Sequence, residues 1–485
     1  MSTESIFTII AILLSVYTLI PIEEKKLIGL KFTRTEIAIL ILSSIYVLFL
    51  ILLFEHFVEW YDSWKIFTSK EGLSSNEYAF LFSLAILIYL GYKVLKSNFP
   101  KRNRAKLLDY YKYLARKEKY NLLYDLIIKY EFDTLIKIHF KKGSNLSNEE
   151  IQNYEVLLTI FDDLVVENFT KSDPYFYSKF LDNLQGEHRF IESMQHYYKV
   201  LISNQSSPLI REIRDNKTDN LLLDNKPLLS GIIGDPKIAG TYKIYQPIGD
   251  YCKEIIRIER DNFSYSQYNR AYYSESVLWA FPITHCIHFF NLMINASISQ
   301  KHNDFLWLNY YERFVQMICE NIDTTKLNGE EKISEFPTYN HRLIYDIIDN
   351  TVDWLKFVDE NYFEDCISPS ILTSLFSSLT YLAESSNFEI TEQFRSKRFE
   401  SAIRIYFDVN EQIQNQYSEA IISRFGSRSE SFKDLFGTAW ESVVDDKWAG
   451  RPFDHEIPDV EKYIKDVIEK LDISTEFRGD WLKSN

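Results

Sequence analysis

Residues 37–54, IAILILSSIYVLFLILLF, form an apolar run of 18 residues without one charged side chain. This length is slightly under the roughly 20 residues with which a helix crosses a bilayer. The run is apolar on every side of a helix, whereas a helix at the surface of a soluble core keeps a polar face. We therefore predict a membrane-spanning helix at 37–54.

Two similar runs flank this segment, IFTIIAILLSVYTLIPI at 6–22 and YAFLFSLAILIYLGY at 78–92. The second extends to Leu95 if the ammonium group of Lys93 reaches the membrane surface. A charge at mid-membrane costs about 2.5–3.5 kcal/mol, so three successive uncharged runs favour a membrane over a soluble core. A cleaved signal peptide is disfavoured, because residues 1–5 contain no lysine or arginine and no small-x-small cleavage site follows the first run. The sequence predicts three transmembrane helices at about 6–22, 37–54 and 78–95.

Lysine and arginine alternate along these runs in a way that predicts their orientation. The tail before the first run has none, and the 55–77 loop has only Lys65 and Lys70. The 23–36 loop and the segment after residue 92 are rich in both. Basic loops stay in the cytoplasm. We therefore expect a bacterial inner-membrane protein with its N-terminus outside and everything after residue 95 in the cytoplasm.

The stretch 93–108, KVLKSNFPKRNRAKLL, concentrates positive charge in a chain of net charge −15. Residues 101–142 carry 12 Lys/Arg against five Asp/Glu, whereas residues 143–485 have a net charge of −21. A basic segment beside a membrane helix is attracted to anionic inner-leaflet lipids by about 1 kcal/mol per residue. Nucleic-acid binding is the disfavoured alternative, because the cluster directly follows a membrane run. The predicted lipid-headgroup contacts are Lys93, Lys96, Lys101, Arg102, Arg104 and Lys106.

Beyond residue 100 the patterns indicate helices. Only 14 glycines and 12 prolines occur in 485 residues, which favours long helices over many short strands. Residues 121–138 and 387–424 repeat apolar side chains at helical spacing, and Ser147 to Glu150 form a capping box. The expected fold class is all-α, with three N-terminal transmembrane helices followed by a large helical cytoplasmic domain.

A change in composition at 214–250 suggests a boundary, because turn-forming residues and four glycines gather there. It is either a linker or an ordered loop, with a short strand at Thr241–Tyr245. The glycines do not match a phosphate-binding loop, which needs Gly-Lys-Ser/Thr before a helix. The predicted organisation is a membrane anchor (1–100), a basic juxtamembrane helical segment (101–142), a helical subdomain (143–215), a linker or loop (216–250) and a C-terminal helical domain (251–485).

Two helical segments carry side chains with metal-binding potential. His285 and His288 share one helical face, but the sequence shows no matching third or fourth ligand, and packed histidines are the favoured interpretation. Asp346, Asp349 and Asp353 also share a face that could bind Mg²⁺. Basic residues at i,i+4 and i,i+3 spacing, Arg342 and Lys356, favour a solvated face instead. We predict neither a metal site nor a catalytic site here, and no cofactor.

Two further residue groups have no decisive interpretation. The C-terminal segment brings together Trp440, Trp448, Arg451, Asp454 and His455, which suits either a recognition surface or a docked tail. The cysteines, Cys252, Cys286, Cys319 and Cys366, match no zinc or redox spacing and are expected to be free thiols.

These features favour a membrane-anchored interaction or sensing module that acts through protein contacts near the inner membrane. Its expected partners are the anionic bilayer and an unidentified protein, with homo-oligomerisation left open. A membrane-disrupting effector, for instance in phage defence, is the first alternative, in which the cytoplasmic domain triggers oligomerisation of the membrane helices. A metal-dependent enzyme with a site on the helical domain is the second.

Overall fold

The computed structural model describes residues 18–52, 75–95, 99–137, 147–181, 184, 188–216, 226–262, 266–302, 307–360, 368–387, 389–425 and 430–448. Throughout these ranges the regular elements are helices, and the extended pairing is one antiparallel bridge between Ala271 and Thr338. The all-α prediction is therefore confirmed. The chain divides into two compact units, Met1–Phe169 and Thr170–Asn485.

The first unit begins with α1 (Ile22–Leu30), α2 (Arg34–Leu52) and α3 (Ser75–Leu95). Helices α2 and α3 form an antiparallel hairpin, because Val47, Leu50 and Ala79 pack together at one end while Glu36 pairs with Lys93 at the other. Most other apolar side chains of the hairpin point outward and are exposed. Such exposure of contiguous apolar surface suits lipid better than water.

Two of the three predicted membrane helices are present as candidates. The segments Arg34–Ile51 and Glu77–Leu95 are long and apolar enough to cross a membrane. The third is not confirmed, because residues 6–17 of the first apolar run lie outside the described residues.

The rest of the first unit is a small helical bundle. It contains α4 (Arg104–Arg116), α5 (Tyr120–Tyr130), α6 (Phe132–Leu135), α7 (Asn148–Ile160) and α8 (Asp163–Ser172), the last of which crosses the unit boundary. Its fully buried core includes Leu107, Leu114, Leu123, Ile127 and Leu157. The predicted capping box is confirmed, since the Ser147 amide donates to Glu150 Oε2 at 2.7 Å and starts α7 there.

The second unit is built from α9 to α22. Their bounds are Ile191–Ser203, Pro208–Arg214, Pro227–Ile233, Pro236–Thr241, Tyr245–Asp261, Glu275–Leu278, Pro282–Ser299, Leu308–Glu320, Gly329–Lys332, Tyr339–Glu360, Ser368–Glu384, Glu392–Tyr406, Glu411–Phe425 and Glu430–Trp448. The apolar stripes of α15, α16, α18 and α19 face one another and form a core rich in aromatic rings. Trp307 and Trp354 are completely covered within it.

The segment expected to be a linker or loop contains helices α11 and α12 and the start of α13. The prediction of a strand at Thr241–Tyr245 is wrong, because Thr241 ends α12 and Tyr245 begins α13. Prolines at the first turns of α11 and α12 fit helix starts, and the Asp235 side chain caps α12 by accepting from Lys237 N at 2.9 Å. The finer domain boundaries stay predictions. The helical pattern at 387–424 corresponds to two helices, α20 and α21.

Candidate functional site

A cluster of polar contacts lies at one end of the hairpin, where α2 begins and α3 ends. Glu36 forms a capping box with Thr33, whose amide donates to Oε2 at 2.8 Å while the Glu36 amide donates to Thr33 Oγ1 at 3.2 Å. The other carboxylate oxygen accepts from Tyr89 OH at 2.9 Å and pairs with Lys93 Nζ at 2.6 Å. One carboxylate therefore fixes the start of α2 and its register against α3.

The same end of the hairpin is joined to α4 through buried Asn103. Its Nδ2 donates to Leu30 O at 2.8 Å and to Phe32 O at 2.7 Å, in the turn between α1 and α2. Farther along α4, Tyr110 OH donates to Glu23 O at 2.7 Å in α1. We call Glu36, Tyr89, Lys93 and Asn103 the junction cluster. It holds both predicted cytoplasmic segments at one end of the hairpin, which is the arrangement that the predicted topology requires.

Behind the junction cluster, Arg104 and Glu131 form a bidentate ion pair that joins α4 to the start of α6. The Nη2 atom lies 2.6 Å from Glu131 Oε2 and 2.8 Å from Asn153 Oδ1 of α7. Tyr111 OH donates to Glu131 Oε1 at 3.0 Å. The Glu131 side chain is 1% exposed, so both of its oxygens are satisfied away from water.

The six residues predicted to contact lipid headgroups have different surroundings. Lys93 is paired with Glu36, and Arg104 is paired with Glu131. Arg102 and Lys106 are exposed, whereas Lys96 and the side chain of Lys101 lie outside the described residues. Lipid contact stays a prediction for all six, and the structure shows that two of them also hold protein partners.

The two candidate histidines of the second unit lie on α15 and bind different backbone carbonyls. His285 Nε2 is 2.8 Å from Trp279 O, and His288 Nε2 is 2.9 Å from Asn216 O. Burial lowers the pKa of His285 to about 4, so its ring is neutral near pH 7. No group of three or more potential metal ligands occurs among the described residues. This geometry matches the favoured interpretation of packed histidines.

The predicted aspartate face of α18 is not simply solvated, because it contains ion pairs and lies partly against aromatic side chains. Arg342 Nε pairs with Asp346 Oδ1 at 2.8 Å, and Lys356 Nζ lies 3.4 Å from Asp353 Oδ1. The Arg342 guanidinium also packs over the rings of Tyr345 and Phe336, at 4.8 Å and 5.1 Å. Burial raises the pKa of Asp346 to about 7, although Arg342 opposes that shift.

One residue that sequence reasoning missed is Arg398 of α20. Its side chain is 5% exposed and lies over the Tyr345 ring at 4.3 Å and the Phe394 ring at 5.5 Å. Its nearest carboxylate oxygen, on Glu335, is 3.8 Å from Nη2, and its Nε atom is buried without a hydrogen bond. No local pattern in the sequence distinguishes Arg398 from the other basic residues of α20.

A surface cleft of about 630 Å³ lies between the end of α16 and the end of α19. Its charged lining is entirely acidic and consists of Glu320, Asp323, Glu384 and Glu389. The side-chain amide of Asn387 helps to fix the shape of the cleft, because its Nδ2 atom donates to Cys319 O at 2.9 Å and to Ile322 O at 2.8 Å. The cleft is therefore a preformed acidic surface.

The remaining candidates are partly described. Trp440 packs on Tyr406, Phe407 and Phe436, as a docked helix would. Arg451, Asp454, His455 and the side chain of Trp448 lie outside the described residues. Cys252, Cys286 and Cys319 are buried free thiols, as predicted, and Cys366 is not described.

No protein-family model, no curated protein and no solved structure matches this chain.

Proposed function

We propose that this protein is a membrane-anchored interaction or sensing module of the bacterial inner membrane, with its helical units in the cytoplasm. The observation that carries the proposal is the junction cluster. The Glu36–Lys93 ion pair joins α2 to α3 within the apolar hairpin. Asn103, just before α4, donates to the carbonyls of Leu30 and Phe32 at the end of α1 and in the turn that leads into α2. A hairpin that served only as a tether would need no such connection.

The junction cluster suits a device in which a change at the membrane reaches the cytoplasmic helices. Asn103 supplies two hydrogen bonds from a buried side chain, so a shift of α2 relative to α4 would leave buried carbonyls without donors. Neutral hydrogen bonds at this position would each contribute about 1 kcal/mol. Movements of the hairpin and of α4 are therefore coupled.

The partner in this proposal is a protein that approaches the acidic cytoplasmic part. Residues 143–485 have a net charge of −21, and the cleft between α16 and α19 presents four carboxylates. Complementary charge increases the rate at which a basic partner associates and favours its correct orientation. A basic segment of a partner protein is the chemistry that such a cleft would accept.

Membrane anchorage is tested by fractionation and by a C-terminal reporter. The full chain should sediment with membranes, resist alkaline extraction and place the reporter in the cytoplasm. Recovery in the supernatant without detergent would contradict the proposal. Expression should leave the membrane potential intact, and a collapse of the potential would instead favour the membrane-disrupting alternative.

Coupling through the junction cluster is tested with Asn103→Ala, using Glu24→Gln on the exposed surface of α1 as the control. Loss of two hydrogen bonds should speed amide exchange in α1 and the first turn of α4 by about tenfold or more, since 1.4 kcal/mol corresponds to a factor of ten. Hydrogen exchange with mass spectrometry on the full chain in nanodiscs measures this effect. Equal exchange in both variants would contradict coupling at Asn103.

A further inference from the structure

The surroundings of Arg398 are unusual for a buried guanidinium. The side chain is 5% exposed, and the nearest carboxylate oxygen is beyond hydrogen-bond distance at 3.8 Å. Its guanidinium lies over the Tyr345 ring at 4.3 Å and over the Phe394 ring at 5.5 Å, and neither ring offers an in-plane acceptor to its nitrogen atoms. Buried charges in proteins are normally paired and hydrogen-bonded, whereas the Nε atom of Arg398 is buried without an acceptor.

The open edge faces a surface formed by two adjacent loops. Glu335, whose Oε1 atom lies 3.8 Å from Nη2, is 54% exposed, so the Nη2 atom lies beside surface that solvent reaches. The loops are held together by the Ala271–Thr338 bridge and by the Tyr272 amide, which donates to Pro337 O at 3.3 Å. Phe336 and Tyr272 contribute aromatic rings 5.6 Å apart at this place. A ligand reaching Arg398 would therefore meet apolar surface beside a cation.

The local charges indicate which anion fits. Arg342 lies near Arg398, and its Nε atom is 2.8 Å from Asp346 Oδ1, so its charge is balanced by that carboxylate. The carboxylates of Glu335 and Asp349 add negative charge around Arg398. They would repel a phosphate dianion more than a singly charged carboxylate. A planar carboxylate also matches the planar edge of a guanidinium that is covered by rings on its faces.

We propose that Arg398 anchors a binding site for a carboxylate attached to an apolar group, with the carboxylate replacing Glu335 beside Nη2. The aromatic rings of Phe336 and Tyr272 would contact the apolar part. The ligand is either a free carboxylic acid or the C-terminus of a partner chain. This site goes beyond the proposed function, because it requires neither the membrane nor the acidic cleft.

The test uses the full chain in zwitterionic nanodiscs and four probes: phenylacetate, neutral phenylacetamide, inorganic phosphate and the peptide acetyl-Gly-Gly-Phe with a free C-terminus. Ligand-observed NMR titrations give the affinities, with empty nanodiscs as the blank. Phenylacetate should bind at least tenfold more tightly than phenylacetamide and more tightly than phosphate. Tighter binding of the peptide than of phenylacetate would identify a chain terminus as the source, and the reverse order a free acid.

Three variants locate the site. Arg398→Met should weaken phenylacetate binding by at least tenfold, because it removes the charge-assisted hydrogen bonds. Lys397→Met removes the same charge from an exposed neighbour on α20 and should leave binding unchanged. Glu335→Gln removes the competing carboxylate and should tighten binding severalfold, and it serves as the test if Arg398→Met does not fold.

Four results would overturn this proposal. They are equal binding of phenylacetate and phenylacetamide, tighter binding of phosphate than of phenylacetate, unchanged affinity in Arg398→Met, and weaker or unchanged binding in Glu335→Gln. Each of them can occur in a protein that is fully membrane-anchored. Failure of this site is therefore distinguishable from failure of the proposed function.

Discussion

Each unit contains an enclosed arginine, and the two differ in how well the protein supplies hydrogen-bond acceptors to them. Arg104 in the first unit binds both oxygens of Glu131 and the side-chain oxygen of Asn153. Arg398 in the second unit is more deeply buried, yet its nearest carboxylate oxygen is 3.8 Å away. The arginine that is better shielded from water is therefore the one with fewer hydrogen bonds. Arg104 has acceptors on Glu131 and Asn153, whereas the Nε atom of Arg398 has none in the described part of the chain.

This difference separates a structural role from a binding role. The Arg104 network is complete within the chain and joins α4, α6 and α7, so its function ends with folding. The Nε donor of Arg398 is buried and has no acceptor in the described part of the chain. An incomplete network of buried polar groups is costly, and a ligand that completes it gains affinity from that cost.

The largest predicted effect is on stability, when each of the two arginines is replaced by methionine in turn. Arg104→Met leaves Glu131 buried without its cation and should lower the free energy of unfolding of the first unit by about 3 kcal/mol. Arg398→Met should change the stability of the second unit by less than about 1 kcal/mol in the absence of ligand, because an uncompensated charge is replaced by an apolar group. Hydrogen exchange of α4 and α20 in the full chain measures both.

The comparison depends on the order of these two effects. Equal destabilisation by both variants would mean that Arg398 has a structural partner as Arg104 does. A double variant, Arg104→Met with Glu131→Leu, serves as the control, because it removes both charges and should recover much of the lost stability.

A second prediction concerns His341 on α18, which packs against Phe394 from the side of the ring, at 4.9 Å. Burial lowers its pKa to about 3, against an ordinary value of 6.5, so the unfolded chain binds a proton that the folded chain excludes. Its contribution to stability is complete above pH 6.5 and is lost as the pH falls toward 3. The loss is about 1.4 kcal/mol per pH unit, or about 2 kcal/mol at pH 5.

Chemical unfolding of the full chain at pH 7 and at pH 5 checks this effect, with His341→Gln as the comparison. The variant should lose less stability between the two pH values, while His285, whose pKa burial lowers to about 4, keeps a similar dependence in both proteins. An unchanged difference would show that His341 is protonated in the folded state. The second unit would then hold the buried His341 ring in its charged form.

The smallest effect is expected at the surface of the first unit. Lys112 and Glu155 pair at 2.8 Å between α4 and α7, the same two helices that Arg104 and Asn153 connect, but both side chains are 40% exposed. Lys112→Ala should therefore change stability by about 0.5 kcal/mol or less, and the change should vanish in 1 M salt. A loss as large as that of Arg104→Met would show that burial does not set the energy of these pairs.

Much of the fold was predictable because it depends on local patterns. Ser147 and Glu150 indicated the start of α7, and the apolar run at 37–54 indicated α2. The strand prediction at Thr241–Tyr245 was wrong because turn-forming residues and glycines suggested a loop, whereas prolines and the Asp235 cap start helices there. In this segment, helix capping and burial outweighed the local sequence preference for a loop.

Only part of the junction cluster could be predicted from the sequence. Thr33 and Glu36 show capping-box spacing before the apolar run, so the sequence carried a signal for the start of α2. No local pattern indicated that Tyr89 and Lys93, more than 50 residues away, would both contact the Glu36 carboxylate. The contacts of Asn103 with Leu30 and Phe32 join residues even farther apart along the chain, by 73 and 71 positions.

The sequence by itself determined the helical class, the apolar segments and the distribution of charge, because helical periodicity, capping and hydropathy act over a few neighbouring residues. The tertiary structure alone decided which charges are satisfied. Arg104 and Arg398 look alike in the sequence, and they differ because their possible partners, Glu131 and Glu335, are positioned by helices and loops that meet only in the folded chain. Hydrogen bonds depend on distance and angle, which the sequence leaves open until distant segments pack together.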